Sequence, residues 1–301
     1  MNFKSIKVAL TAFVIVLLLM PIGHTLMILN EKLLLEQKYL GAFIIGILGL
    51  LMLIIGVRNN SKMALATIMG LIGGVLVWTG WIEFSFVWTA EKLAIPGLFE
   101  NGEVTTKPEY LVMMSSVGLL LSFVLLFLFS QTRCTFFNWF QKTFKYKQHL
   151  KMSNPTIKPT ALITFIETVM LLWFFYLVLL FVYDKDIAGD KHPATYIVAF
   201  GSLFWSIYLM LRLAKINKLD YAIRYAVPTV IIFWNFIEVI GRWDLFKEIW
   251  VHPEEHWLEN SLILLMLAGF ITLYFVENKR KAKQKLQKKE HKMIEESVMS
   301  S

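Results

Sequence analysis

Apolar runs of about 20 residues recur along the whole chain, and a helix needs roughly that length to cross a hydrocarbon layer about 30 Å thick. Eight segments meet this requirement, at residues 6–29, 41–57, 63–88, 110–130, 161–183, 195–213, 221–243 and 258–276. Only 17% of the 301 residues are charged, whereas soluble chains contain roughly 25%. We therefore predict an all-α, polytopic membrane protein with about eight transmembrane helices. A soluble enzyme, a disordered chain and a disulfide scaffold are excluded.

The positive charges are distributed unequally between the two sides of these segments. If the N-terminus lies inside, eight crossings return the C-terminus to the inside as well. The inner segments then contain 22 of the 30 Lys and Arg residues, and the outer loops contain eight. Because Lys and Arg accumulate on the cytoplasmic side, we predict a multi-pass protein of the plasma (inner) membrane with both termini in the cytoplasm.

The net charge of +8 combines a basic inner side with an acidic outer side, since 16 of the 22 Asp and Glu residues fall outside. Attraction to the anionic lipid of the inner leaflet accounts for the basic side. Membrane lipid is therefore the expected partner there, and nucleic acid is not. The large apolar surface also leaves room for other membrane subunits.

Residues 1–276 are predicted to form the helical bundle, and residues 277–301 a basic cytoplasmic tail. Between the fourth and fifth spans, residues 135–147 carry an apolar stripe with lysines elsewhere. This pattern favours a helix on the inner membrane surface. The alternative is a simple extension of the fourth span.

Two segments resemble each other at an offset of 155 residues. Val75–Trp88 and Val230–Trp243 align without gaps and share Val, Ile, Glu and Trp, and the aligned glutamates are Glu83 and Glu238. The short segments Ala9–Phe13 and Ala161–Phe165 match at an offset of 152. A duplication of four spans, with parallel halves at 1–150 and 151–276, would explain these matches. Chance similarity between apolar segments is the alternative.

Ionisable residues inside a membrane are costly, and each is therefore a functional candidate. His24, Glu83, Glu238 and Arg242 all lie toward the outer ends of their spans. We expect them to line a water-accessible pocket that opens to the outer face. The two glutamates and His24 suit acid–base chemistry, and the planar guanidinium of Arg242 suits an anionic group.

Each of these residues also has a purely structural interpretation. Glu238 and Arg242 are four residues apart and can form a local ion pair. The tryptophans, seven of ten of which lie on the outer side, can form an interfacial belt. Glu167, near the inner side, can extend to the surface or bond to Thr164 or Thr168.

His252 and His256 are the candidate metal ligands, because two histidines four apart bind a metal when they share a helix face. A divalent metal would be the cofactor, with His24, Glu83 and Glu238 as further ligands. However, Pro253 is expected to be the first residue of a helix, which would direct His252 elsewhere. Helix-start chemistry then explains Pro253, Glu254 and Glu255 without a metal.

Three function classes remain open. The first is an enzyme at the outer leaflet, acid–base or metal-assisted, acting on a lipid-soluble, amphipathic or periplasmic small molecule. The second is a proton- or cation-coupled transporter or channel that uses Glu83 and Glu238. The third is a scaffold subunit of a membrane complex. A pocket closed on its inner side favours the first class, and a polar path toward Glu167 favours the second.

Overall fold

A computed structural model of the protein describes residues 3–100, 103–129, 135–144, 159–273, 275, 276 and 287. The first part of the chain is largely helical, and its helices are α1 (Phe3–Leu34), α2 (Lys38–Arg58), α3 (Met63–Val77), α4 (Phe84–Lys92), α5 (Pro108–Met114), α6 (Val117–Phe129) and α7 (Thr135–Thr143). A 3-10 turn, Leu35–Gln37, separates α1 from α2. A π-helical segment, Trp78–Glu83, joins α3 to α4.

The second part of the chain contains four longer helices: α8 (Thr160–Tyr183), α9 (Pro193–Leu213), α10 (Leu219–Arg242) and α11 (Trp257–Leu273). The described strands, β1 (Leu98–Glu100) and β2 (Glu103–Thr106), form one antiparallel hairpin between α4 and α5. The all-α prediction did not anticipate this hairpin.

Five helical stretches in the described residues are long and apolar enough to cross a membrane: Ser5–Arg58, Met63–Lys92, Thr160–Tyr183, Pro193–Leu213 and Leu219–Arg242. A sixth is obtained if α5 and α6, which meet at an angle of 46°, count as one span. The stretch Ser5–Arg58 contains both the first and the second predicted span, and α11 is a shorter apolar helix. The prediction of membrane-spanning helices is thus confirmed, and the number eight stays a prediction.

The outer faces of several helices expose large apolar side chains, as a lipid environment requires. The most exposed on α9 are Ile197, Phe204 and Leu211, at 72%, 68% and 60%. On α6, Leu119 and Leu126 are exposed in the same way. These faces are suited to lipid or to another apolar surface, and not to water.

The centre of the protein is formed by α1, α3, α8 and α10, whose inner faces share one continuous apolar core. Small residues allow close approach there, as at the crossing of α3 and α8, where a side chain on Gly70 would collide with the backbone of Ala161. In this framework α3 packs on α8 and α1 packs on α10. On the outside, α2 packs on α3 and α9 packs on α10.

Helix α7 lies where an amphipathic helix was predicted, within the described part of residues 135–147. Gln141 donates from Nε2 to the carbonyl oxygens of Phe127 and Leu128, at 3.2 and 2.9 Å. A continuous helix would separate residues 127 and 141 by about 21 Å at its rise of roughly 1.5 Å per residue. The chain therefore folds back against α6, and the alternative of a straight extension of the fourth span is wrong. The basic tail lies outside the described residues, apart from Gln287.

Candidate functional site

A cavity of about 250 Å³ lies between the latter parts of the four central helices. His24, Glu83, Glu238 and Arg242 all line it, so the structure brings together the four residues predicted for the site. The helices α1, α3, α8 and α10 contribute their more C-terminal residues, and they therefore run toward the cavity in the same direction. Tyr110 of α5 and residues that follow α10 complete the wall.

His24 and Glu238 form a direct pair across α1 and α10. The Nε2 atom of His24 lies 3.4 Å from Oε1 of Glu238, and each side chain is 22% exposed. The indole Nε1 of Trp234, one helical turn earlier on α10, donates to the same Glu238 oxygen at 2.5 Å. Glu238 is thus held by a hydrogen-bond donor from its own helix and contacts an imidazole from another.

Glu83 is the last residue of the π-helical segment, and it is buried, at 3% exposure. Within this segment Gly80 lies directly against α2, where a Cβ atom would approach the backbone N of Gly46 to 2.5 Å. Gly46 in turn makes room for the indole of Trp81, whose Nε1 donates to the carbonyl of Phe43. The π-helical insertion changes which side of the helix Glu83 occupies, and such insertions are frequent at functional sites.

Arg242 lies at the C-terminal end of α10 and is held by the loop before α9. Its Nε is 2.5 Å from Oδ1 of Asp190, and its guanidinium lies 4.4 Å from the ring centre of Tyr183. Next to it, Trp243 donates from Nε1 to the carbonyl of Asp190. Asp190 is thus an ion-pair partner of Arg242 that the i,i+4 interpretation did not include.

Glu248 lines the cavity from the loop that follows α10, and the end of that helix sets its position. Asp244 adopts φ 57°, and the amides of Asp244 and Leu245 donate to the carbonyls of Gly241 and Ile240. This pattern is a Schellman motif, which ends the helix and reverses the chain. A side chain on Gly241 would collide with the Glu248 carboxylate, which packs against the helix end. Burial raises the pKa of Glu248 to about 7, and the charge of Glu238 adds to this effect while Arg242 opposes it.

The cavity walls are mainly aromatic. The His24 ring is nearly parallel to the rings of Tyr176 and Trp234, with interplanar angles of 26° and 20° and centroid distances of 6.4 and 6.5 Å. Tyr176 also contacts Trp78 and shares a hydroxyl–hydroxyl hydrogen bond of 3.2 Å with Tyr110. Planar rings therefore surround the polar groups on several sides.

The floor of the cavity is apolar. Its innermost lining residues on the four central helices are Leu19, Val75, Leu172 and Ile231. About one turn further in, each helix contributes a buried side chain with no exposed surface: Val16, Leu71, Thr168 and Val227. The floor therefore separates the cavity from the inner half of the bundle.

Glu167 lies beyond this floor and does not line the cavity. It is buried, and its Oε2 is 3.9 Å from Nε of Arg224 on α10. The hydroxyls of Thr164 and Thr168 instead donate to backbone carbonyls of their own helix. The structure thus places Glu167 in a buried ion pair with Arg224, which neither predicted alternative includes.

His252 and His256 lie away from the cavity and do not share a helix face. Residues 253–255 form a turn and α11 begins at Trp257, so Pro253 is not a first helical residue. The Nδ1 atoms of His252 and His256 face different carboxylates, those of Glu254 and Glu259, at 3.9 and 3.7 Å. Across the described ranges, no group of three or more His, Cys, Asp and Glu side chains could hold a metal ion. The residues that the structure describes thus offer no ligand set for the predicted divalent metal.

Sequence reasoning missed the tyrosines of the cavity, because tyrosine is common at membrane interfaces and carries no charge signal. One signal was present: Tyr176 follows His24 by 152 residues, the offset that relates Ala9–Phe13 to Ala161–Phe165. An interfacial belt does not account for the positions of all the tryptophans. Trp78, Trp234 and Trp250 line the cavity, whereas Trp88 and Trp257 are exposed.

Chemically, the arrangement can bind a small molecule with a flat apolar body and can exchange a proton with it through His24 and Glu238. Comparisons with models of protein families, with curated proteins and with solved structures find no match for this chain.

Proposed function

We propose that this protein is an integral membrane protein with an outward-facing cavity that binds a small amphipathic molecule and performs acid–base chemistry on it. The His24–Glu238 pair transfers the proton, and the aromatic walls hold the apolar body of the substrate. The observation that carries this proposal is the combination of that pair with the closed apolar floor. An enzyme needs access from one side only, whereas a channel needs a path to both.

In this proposal the chain crosses the plasma membrane eight times, with both termini in the cytoplasm. The excess of Lys and Arg on one side of the predicted spans supports this orientation. It predicts that the exposed residues Ser61 and Leu245 lie on opposite sides. The test is a pair of single-cysteine variants, S61C and L245C, in a Cys134→Ser background. A membrane-impermeant maleimide added outside should label L245C only, and labelling of S61C only would reverse the orientation.

The proposal also includes two halves related by a pseudo-two-fold axis along the membrane normal. The packing of α3 on α8 corresponds to that of α10 on α1, and the packing of α2 on α3 to that of α9 on α10. These correspondences follow the sequence offsets of 152 and 155. They relate Glu83 to Glu238 and His24 to Tyr176. One half of the cavity therefore contributes the imidazole of His24, and the other half contributes the phenolic side chain of Tyr176.

The access test uses a water-soluble carbodiimide and an amine nucleophile, added to the outside of intact right-side-out vesicles. Mass spectrometry then locates the modified carboxyl groups. We expect modification of Glu238 and none of Glu167, because the floor separates them. Glu238→Gln is the control that removes the Glu238 adduct. Modification of Glu167 from outside would contradict the closed floor.

The chemical test compares small molecules that co-purify with the wild-type protein and with Glu238→Gln. Replacing the proton acceptor should leave the unreacted molecule in the cavity, so the two preparations should carry different species in the mass spectrum. The same species at the same occupancy in both preparations would contradict an acid–base role for Glu238.

A proton-coupled carrier is the second candidate, and the π-helical segment favours it. Transporters commonly place their sites at interrupted helices between repeats, and Trp78–Glu83 interrupts the α3–α4 stretch at the cavity. In that case the closed floor belongs to one of two states. The carrier would be favoured over the enzyme by two results together. Glu238 would be modified from the outside and Glu167 from the cytoplasmic side, and the modification of each glutamate would depend on whether the other is protonated.

A further inference from the structure

Two buried polar atoms in the lining of the cavity have no hydrogen-bond partner among the described residues. They are Oε1 of Glu83 and Nδ2 of Asn235. The two residues are 3% and 2% exposed, and both line the cavity. Leaving a buried donor or acceptor unsatisfied is unfavourable, so both atoms are expected to have a hydrogen-bond partner when the cavity is occupied.

We infer that these two atoms form a subsite for a hydroxyl group carried on a planar ring, which makes a phenol-like alcohol the substrate class. This inference rests on the proposed function, because it names the molecule that the outward-facing cavity accepts. Glu83 Oε1 accepts a hydrogen bond from the hydroxyl, and Asn235 Nδ2 donates one to it.

The hydrogen-bonding capacity of the two atoms determines which polar group of a substrate can bind to both. A hydroxyl both donates and accepts, and it therefore satisfies a carboxylate oxygen and an amide N–H at once. An ammonium group has no acceptor for Asn235. An ionised carboxylate has no donor for Oε1 of Glu83. The pairing thus disfavours both charged head groups.

The walls select the body that carries the hydroxyl. The nearly parallel rings of His24, Tyr176 and Trp234 favour a flat molecule over a branched one. The cavity volume of about 250 Å³ lies just below the range of roughly 300–1,000 Å³ that is typical of small-molecule sites. One ring with its hydroxyl is therefore the expected occupant. A longer substituent would extend out of the cavity through its opening.

The position of the hydroxyl is also compatible with the proton-transfer pair. Asn235 and Glu238 lie three residues apart on α10 and both line the cavity. A ring held at Glu83 and Asn235 therefore lies beside the His24–Glu238 contact. Glu83 and Asn235 are positioning residues in this arrangement, and Glu238 exchanges the proton.

The probe is 4-(trifluoromethyl)phenol, followed by fluorine NMR in the presence of the full-length protein in detergent micelles. The matched probe is 4-(trifluoromethyl)anisole, in which a methoxy group accepts but cannot donate. Empty micelles correct for partition, and mildly acidic buffer keeps the phenol neutral. We expect the phenol to bind about tenfold more tightly than the anisole, since one buried hydrogen bond of about 1.4 kcal/mol corresponds to that factor.

Glu83→Met should reduce the preference for the phenol about tenfold while leaving the anisole unchanged, whereas Asn235→Leu should weaken both probes, because the ether oxygen of the anisole also accepts from Asn235. Glu109→Gln is the matched control, because Glu109 is a buried glutamate that does not line the cavity. The comparison of the two probes on the wild-type protein needs no variant, so it tests the proposal even if a substitution prevents folding.

Equal binding of phenol and anisole would overturn the hydroxyl subsite. If Glu238 is nevertheless modified from outside, the proposed function stands and only the substrate class is wrong. If the phenol is preferred but Glu238 is unreactive from outside, the subsite stands and the outward-facing access is wrong. The two failures are therefore distinguishable.

Discussion

His24 and Glu238 lie on different helices, and their side chains meet at 3.4 Å at the wall of the cavity. Trp234 donates to the same carboxylate oxygen from one turn earlier on α10. The ring nitrogens of the imidazole can donate or accept a proton, and the indole N–H donates a hydrogen bond to the carboxylate. The proposed proton transfer rests on this three-residue arrangement.

The first prediction concerns the Trp234 hydrogen bond. Trp234→Phe keeps an aromatic ring but removes the donor, and we expect a loss of about 1–2 kcal/mol in the free energy of unfolding. Thermal unfolding in detergent, followed by circular dichroism, measures the change. Trp257→Phe is the control, because Trp257 is 65% exposed. An equal effect of the two substitutions would argue against the hydrogen bond.

The second prediction concerns the pH dependence of stability through Glu248. The folded protein raises the pKa of this carboxyl from 4.5 to about 7, mainly because it is buried. Between these two values the folded state holds a proton that the unfolded state has lost. The free energy of unfolding therefore falls as pH rises from 4.5 to 7.

Glu248→Gln removes this titration, so the variant should lose less stability than the wild type over the same pH interval. Melting temperatures at several pH values in that window measure the slope. Glu255→Gln, at an exposed residue of the following turn, is the control. A slope unchanged by Glu248→Gln would contradict the prediction.

The clustering of the four candidate residues could be predicted from the sequence because charge in a membrane is rare. His24, Glu83, Glu238 and Arg242 stand out toward the C-terminal ends of apolar spans, and the structure brings all four to one cavity. Burial cost is a local property of a residue and its span. It can therefore be read without knowing which helices are neighbours.

The pairing of these residues could not be predicted in the same way. Asp190 contacts Arg242 although the two residues are 52 positions apart in the sequence. Glu167 on α8 likewise contacts Arg224 on a different helix, α10. Such contacts depend on the packing of α8, α9 and α10, which the apolar pattern does not determine. The short motif at His252 was similarly ambiguous, because a proline followed by two glutamates fits both a helix start and the turn that is observed.

The π-helical segment also could not be predicted from the apolar pattern of the sequence. The third prediction concerns this segment. Its glycine, Gly80, packs on α2 so closely that a Cβ atom would lie 2.5 Å from the N of Gly46 and 2.6 Å from the O of Ala42. Both are backbone atoms and cannot rotate away. Gly80→Ala should therefore cost about 1–3 kcal/mol and displace Glu83.

Gly118→Ala is the matched control on α6, because nothing lies within 4 Å of the added Cβ atom. In a helix interior, this substitution should leave stability unchanged or raise it by up to about 1 kcal/mol. Thermal unfolding separates the two glycines. A Gly80→Ala protein as stable as Gly118→Ala would show that α2 does not press against the π-helical segment.

The fourth prediction concerns the turn that positions Glu248. Asp244 adopts a left-handed conformation with φ 57°, which Asp tolerates, Gly prefers and β-branched residues avoid. Asp244→Gly should keep the Schellman motif and the stability, whereas Asp244→Val should lose about 1–2 kcal/mol. Melting temperatures of the two variants test this order, and the opposite order would contradict the observed turn.

The fifth prediction concerns the buried pair beneath the cavity floor. Glu167 and Arg224 are 2% and 11% exposed at their side chains, and their charged atoms are 3.9 Å apart. Removing one partner of a buried pair leaves the other charge uncompensated and costs about 3–5 kcal/mol. Glu167→Gln and Arg224→Gln should each destabilise the protein strongly, and the double variant should recover part of that loss because no charge is left alone. Unfolding measurements on the four proteins complete a double-mutant cycle. Strictly additive losses would show that the two side chains are not coupled.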